Sequence, residues 1–217
     1  MNSIETIPLE NLAYILIPVL IVIGIIAKWQ LHISHALYAI TRMLIQLLAI
    51  GYFLNSIFAT DSAQVTLSIL SFMLIFSSWI ALGTVKKQRR TWFFKALLSL
   101  GIAGAITLFT IVEGVLELTP WYEPRYIIPL GGMILANSMN SLSLAAERFQ
   151  SEISNNNDSL RARNIAFNAA LIPTINMLFA VGLVSLPGMM TGQILSGISP
   201  FIAARYQIMV MCMMFAS

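Results

Sequence analysis

Apolar residues along this chain fall in seven long blocks, 9–27, 36–58, 65–85, 94–115, 126–144, 165–185 and 202–216, separated by short polar connections. A helix needs about 20 such residues to cross the hydrocarbon of a bilayer. Six blocks reach that length or come close, and the last is short for it. With no water at that depth, the backbone must satisfy itself within each segment, so the blocks are read as helices. The expected fold class is an all-α polytopic membrane protein of about seven transmembrane helices, forming one domain over 1–217 with no internal repeat.

Polar residues inside the blocks are the informative exceptions, because they line a path, hold helices together or reach back to an interface. Arg42 and Gln46 share a face of the second block. Arg42 lies about two turns from the expected cytoplasmic boundary, close enough to snorkel, with gating or helix locking as the alternative. In the fifth block Asn137, Asn140, Ser141 and Arg148 follow the i, i+3, i+4 pattern of one helical stripe. Two amides there cannot face lipid cheaply, whether they bond neighbouring helices or line a pathway. Thr174 and Asn176 repeat the theme beside Pro173, and Pro187, Gly188, Met189 and Met190 then break the apolar run near the outer leaflet. The paired methionines suit a soft metal ion or, more plainly, flexible packing. In the fourth block Ser99, Gly101, Ala103, Ala105 and Thr107 mark a close-packing helix.

Composition agrees with a lipid environment: 58% of residues are hydrophobic and 10% charged, with mean hydropathy +0.83, against about 25% charged in soluble domains. The net charge of +3 marks orientation and not nucleic-acid binding, since Lys and Arg are retained on the cytoplasmic side. Placing the N-terminus outside puts nine of the twelve basic residues in the cytoplasm, among them Lys28, the KKQRR run 86–90, Lys95, Arg148, Arg161 and Arg163. Glu5, Glu10, Asp61, Glu113, Glu117 and Glu123 then collect outside. The first block is not a signal peptide, because its upstream flank is acidic. The seventh reaches Ser217 with no polar tail, the pattern expected of a chain that continues. His32 and His35, at i, i+3, fall short of a metal site by themselves. The single Cys212 excludes an internal disulfide. None of the four lysines is followed by Ser or Thr, as a nucleotide-binding P-loop requires, so no ATPase motif is present.

The strings LIPTIN (171–176), VGLVSLPGMMTGQIL (181–195) and RYQIMV (205–210) resemble the bacterial iron-export ABC transporter permease family, which is related to plant aluminium-tolerance permeases. The resemblance implies a homodimer in the inner or plasma membrane, with N-terminus outside and C-terminus cytoplasmic. It also implies a separate cytoplasmic ABC ATPase that uses ATP, and a metal ion, iron in the first instance, as the exported substrate. No cofactor is expected on this chain. The fifth and sixth blocks would rock about a path near Asn137, Asn140 and Asn176. The connection 145–164, AAERFQSEISNNNDSLRARN, aligns with the family's coupling loop, so Glu147, Arg148, Phe149, Glu152 and Ile153 are the expected ATPase contacts. It is shorter than the family's loop, with NNND where a small-residue motif, a proline and a second amphipathic helix are expected. The alternative is a membrane scaffold or regulatory subunit that has lost ATPase coupling.

The charge asymmetry predicts that a lone cysteine introduced by Gln88→Cys stays unlabelled by a membrane-impermeant thiol reagent in intact cells. It should react after permeabilisation. Labelling in intact cells reverses the topology.

Overall fold

The computed structural model describes residues 8–60, 62–155 and 158–217. Glu5 and Asp61, assigned above to the outer face, and the middle of the NNND run lie outside the described residues. The chain divides into two compact units, Met1–Ala59 and Thr60–Ser217. The described residues are all-α, with no named strand.

In the first unit α1 (Leu9–Leu12), a 3₁₀ turn (Ala13–Ile15) and α2 (Leu16–Lys28) follow without a break, and α3 runs Ile33–Phe58. The turn between α2 and α3 puts Gln30 at φ 55°, the left-handed position that ends many helices. The amides of Trp29 and Leu31 then close back onto the carbonyls of Ile25 and Ile26. Leu20, Ile21, Leu47 and Leu48 stay exposed on these helices. Long helices with such uncovered apolar faces belong in lipid.

The second unit comprises α4 (Ala63–Ala81), α5 (Arg89–Phe109) with a π turn at Thr110–Val115, α6 (Pro124–Ser154), α7 (Ser159–Ala180), α8 (Gly188–Leu195) and α9 (Pro200–Ala216). Helix α6 is its axis, packed against α4, α5, α7 and α9. Glycines allow the close approaches. A Cβ on Gly131 would stand 2.5 Å from Leu70 Cδ2, and one on Gly101 3.2 Å from Leu74 Cδ2. The buried face of α5 is Ala96, Leu100, Gly104 and Thr107, so the close-packing helix is present while Ser99 and Ala105 fall outside its packed stripe. Hydroxyls pin both ends of α4 to the α6 segment, through Thr66 Oγ1 to the Tyr122 carbonyl (3.2 Å) and Thr84 Oγ1 to the Ser143 carbonyl (3.3 Å). Arg89 closes the α4 C-terminus. Its Nε and Nη2 donate to the Trp79 carbonyl at 3.0 and 2.6 Å, and its guanidinium lies 3.8 Å from the Trp79 ring centroid.

Among the described residues five helical runs are long and apolar enough to cross a membrane: 10–28, 33–58, 63–81, 89–115 and 124–154. The seventh block coincides with α9, a shorter apolar helix of 17 residues. The sixth falls on α7, whose first half carries Arg161, Arg163, Asn164 and Asn168. That helix stops at Ala180, and 181–185 form a tight loop with Gly182 at φ 80°. The largest departure from the expected pattern is the connection 145–164, expected above to be cytoplasmic. Most of 145–164 is helix, because α6 continues to Ser154 and α7 begins at Ser159. At 1.5 Å per residue α6 is about 46 Å long, well beyond the ~30 Å of hydrocarbon. Helices α6 and α7 pack against each other as a long hairpin, with only four residues between them. Helix α8 was not anticipated.

Gly131→Val should destabilise the unit by about 1–3 kcal/mol, because the added methyls must displace Leu70 between α4 and α6. Thermal unfolding in detergent checks it. Gly192→Ala, where a Cβ meets nothing within 4 Å, should leave the midpoint within error.

Candidate functional site

Three helical stripes and one helix start enclose a cavity of about 610 Å³ in the second unit. From α6 come Met133, Asn137, Asn140, Ser141 and Leu144, and from α7 Ala170, Pro173, Thr174 and Met177. Helix α9 contributes Gln207, Val210, Met211 and Met214. Each set follows i, i+3, i+4, i+7 spacing, so the cavity is where one face of each helix meets the others. Pro187, Gly188 and Met189, where the chain enters α8, complete the wall. The irregular backbone of this stretch lies beside a cavity, where such segments are tolerated at membrane depth. Pro173 has no N–H for the Ala169 carbonyl, which loosens α7 beside the cavity.

The polar groups of the wall divide into two kinds. Asn137 is a tie, with its Nδ2 donating to the Met214 carbonyl at 2.7 Å and linking α6 to α9. The others have no partner among the described residues. Gln207 is 4% exposed, and its buried Oε1 accepts no hydrogen bond. Thr174 is 6% exposed. Its hydroxyl makes no hydrogen bond among the described residues, although Ser78 and Ser138, buried in helices like it, bond the carbonyl four residues back at 2.7 and 2.8 Å. Asn140 is exposed and Ser141 half-buried on the same stripe, likewise without internal bonds. No lining side chain carries a formal charge. Among the described residues no group of three or more His, Cys, Asp or Glu is placed to hold a metal ion.

The remaining sequence candidates sit elsewhere. Asn176 is exposed and outside the lining, since two residues beyond Thr174 turn a helix by roughly 200°. Met190 is half-buried on α8, outside the lining. Arg42 is half-buried and Gln46 exposed on α3 of the first unit, and His32 and His35 are both exposed there. The coupling candidates lie at the far end of α6. Arg148 Nη2 meets Glu152 Oε1 at 2.7 Å, and Glu152 is buried. Phe149 packs on Trp92 with ring centroids 6.1 Å apart, while Glu147 and Ile153 are exposed. Gln207 was not anticipated. Its signal was a lone amide in the apolar run RYQIMV of a helix that looked too short to span. A second cavity, about 540 Å³ between α4, α5 and α6, is lined mainly by Leu, Ile and Gly, with Glu113 as its one charged residue.

Lipid-crossing helices with a mainly apolar, partly open cavity carrying a few neutral polar groups at the junction of α6, α7 and α9 define a polytopic α-helical membrane protein with a pocket of small-molecule size. The chain belongs to the UPF0014 family, described as an uncharacterised protein family, whose model matches residues 9–164 and 159–217. It is 38% identical over 201 residues to the UPF0014 membrane protein slr1647 of Synechocystis, covering 85% of this chain and 78% of that protein. It is 33% identical over 234 residues to the probable iron export permease protein FetB of Escherichia coli, covering 100% and 88%. With Protein ALUMINUM SENSITIVE 3 of Arabidopsis thaliana it shares 28% identity over 214 residues, covering 90% and 77%. The resemblance to the iron-export permeases and their plant relatives therefore holds. No solved structure matches the chain. The FetB alignment spans 234 positions against the 217 residues here, so at least 17 positions of that relative face a gap. The family match divides at 159–164, the start of α7 and the place where the longer loop was expected.

Asn137→Leu should cost about 1 kcal/mol through the lost bond to the Met214 carbonyl, lowering the unfolding midpoint by about 2–4 °C. Asn140→Leu, which breaks no internal bond, should leave the midpoint unchanged. Equal losses would mean that the two amides play the same structural part.

Proposed function

We propose that this chain is the membrane-spanning permease subunit of an ABC-type exporter for iron or a related metal, energised by a separate cytoplasmic ATPase and working as a homodimer. The observation that carries the reading is the cavity between α6, α7 and α9 into which Gln207 brings a buried Oε1 that accepts no hydrogen bond among the described residues. A buried polar group costs about 1–3 kcal/mol when unsatisfied, so its place there makes sense where a solute or its water replaces the missing bond. Membership of the family and likeness to a relative named as an iron export permease support the substrate class.

The ATPase would dock on the hairpin tip where α6 ends. Phe149 is engaged with Trp92 and Glu152 is buried, so the free surface there is Glu147 and Ile153. Only four residues separate α6 from α7, and the relative's alignment carries extra positions. That observation favours a second reading, a scaffold or regulatory subunit without coupling, and the same experiment separates the two.

Cells producing the chain with a cognate ATPase should hold less iron, by elemental analysis, than cells producing either protein alone. The ATPase should co-purify with the wild-type chain and about tenfold less with Ile153→Asp, a loss of about 1.4 kcal/mol of binding. Unchanged iron overturns the export reading. An ATPase that never co-purifies favours the scaffold, and equal recovery with Ile153→Asp removes the tip as the docking surface.

A further inference from the structure

The cavity's chemistry also bears on the form in which the cargo is carried, an inference that rests on the cavity being the cargo site. Its wall offers amides from Asn140 and Gln207, hydroxyls from Ser141 and Thr174, and thioethers from Met177, Met189 and their neighbours. All are neutral. A bare divalent or trivalent cation surrenders a large hydration energy on entering a low-dielectric site, and neutral groups do not return it. Hard or borderline multivalent ions are ordinarily held by carboxylate, imidazole or thiolate, none of which lines this cavity. The same lining, mostly apolar with a few neutral polar groups, suits an uncharged solute that carries hydrogen-bonding oxygens. Gln207 offers both an acceptor and donors from a nearly buried position, Thr174 on α7 adds an uncommitted hydroxyl to the same lining, and flexible methionines adapt to an irregular outline. A volume of about 610 Å³ accommodates a small organic molecule or a compact chelate.

We infer that the cavity takes its cargo as a charge-neutral small molecule that carries hydrogen-bonding oxygens, either metal-free or as a neutral metal complex, and that Gln207 is the residue that selects it. Gln207 is then a specificity residue held in place against its own stability. Replacing it with Met, of similar volume, removes a buried amide without an internal bond. That change should stabilise the free protein while abolishing recognition, whereas a purely structural glutamine would lose stability when replaced.

The test uses the full chain in lipid nanodiscs and three probes: the neutral ferric tris(acetohydroxamate) complex, acetohydroxamic acid at equal total hydroxamate, and anaerobic ferrous chloride alone. The wild type should show a saturable rise in unfolding midpoint with the complex, the free hydroxamate or both, and comparing those two arms tells whether the metal is needed. Ferrous ion alone should give none. Gln207→Met should raise the ligand-free midpoint by about 2–4 °C and lose at least tenfold in apparent affinity for the responding probe. Thr174→Val, which keeps shape and removes only the hydroxyl, should weaken the same response with little change in the ligand-free midpoint. A saturable response to ferrous ion alone that disappears in Gln207→Met overturns the neutral-cargo inference and leaves the cavity as the cargo site. Silence with both hydroxamate probes also overturns it, as does a full hydroxamate response retained in Gln207→Met. Cellular iron measured in the two variants judges the wider reading separately, since unimpaired export in both takes the cavity out of the pathway.

Discussion

Every polar group buried in this bundle must be answered by protein, water or solute, because lipid answers none of them. Helix α6 meets that demand differently on its two sides. Toward α4 and α5 it presents Gly131 and Gly132, which let Leu70 and Met73 come close enough that little polar surface needs a partner. Toward α7 and α9 it presents the stripe of Asn137, Asn140 and Ser141, where only Asn137 is answered from within, by the Met214 carbonyl. The side toward α4 and α5 is apolar, including its part of the cavity there. The side toward α7 and α9 packs as closely and adds a side-chain hydrogen bond beside the other cavity.

That asymmetry gives α6 mechanical meaning. Its apolar side fixes it to α4, whose ends are tied by Thr66 and Thr84 and whose C-terminus is closed by Arg89. Its cavity side and its exposed tip lie on one unbroken helix, with Ser141 and Ile153 about 18 Å apart along the axis. A partner that moves the tip moves the amide stripe with it, since rigid elements carry displacement between sites. Helix α7 is the looser member, with Pro173 interrupting its bond ladder at the level of the cavity. A rocking motion would be taken up there, and the Asn137 tie would be the contact under load.

The helical architecture was legible in the apolar blocks, because length and hydropathy measure the bilayer directly. The boundaries were less so. Helix α6 runs ten residues past its block, since Glu147, Arg148 and Glu152 end the apolar signal without ending the helix. Asn137, Asn140 and Ser141 were readable as a stripe from spacing, and the structure brings them to one wall with Thr174, while Arg148 of the same stripe pairs with Glu152 farther along α6. Asn176 was grouped with them by nearness in sequence, and the helical turn sends it to the other side. Gln207 escaped notice because one amide makes no pattern. Its significance depends on what α6 and α7 put in front of it, and only packing supplies that. Helix α8 escaped because GMMTGQIL, eight residues with two glycines, has neither a helical stripe nor a membrane length.

Gln207 and Thr174 also bear on why the wall is polar at all. Met or Leu at position 207 would fill the same space without a buried unpartnered Oε1, and Val at 174 would fill the space of Thr. A protein selected only for stability would have drifted toward them, since substitutions of that kind are easy to find. A buried amide left open beside a cavity costs stability while the cavity is empty, and an occupant that completes its hydrogen bond binds the more tightly for that reason. An amide kept there against that cost is what a site with an occupant requires, and what a wall made only for packing would have lost.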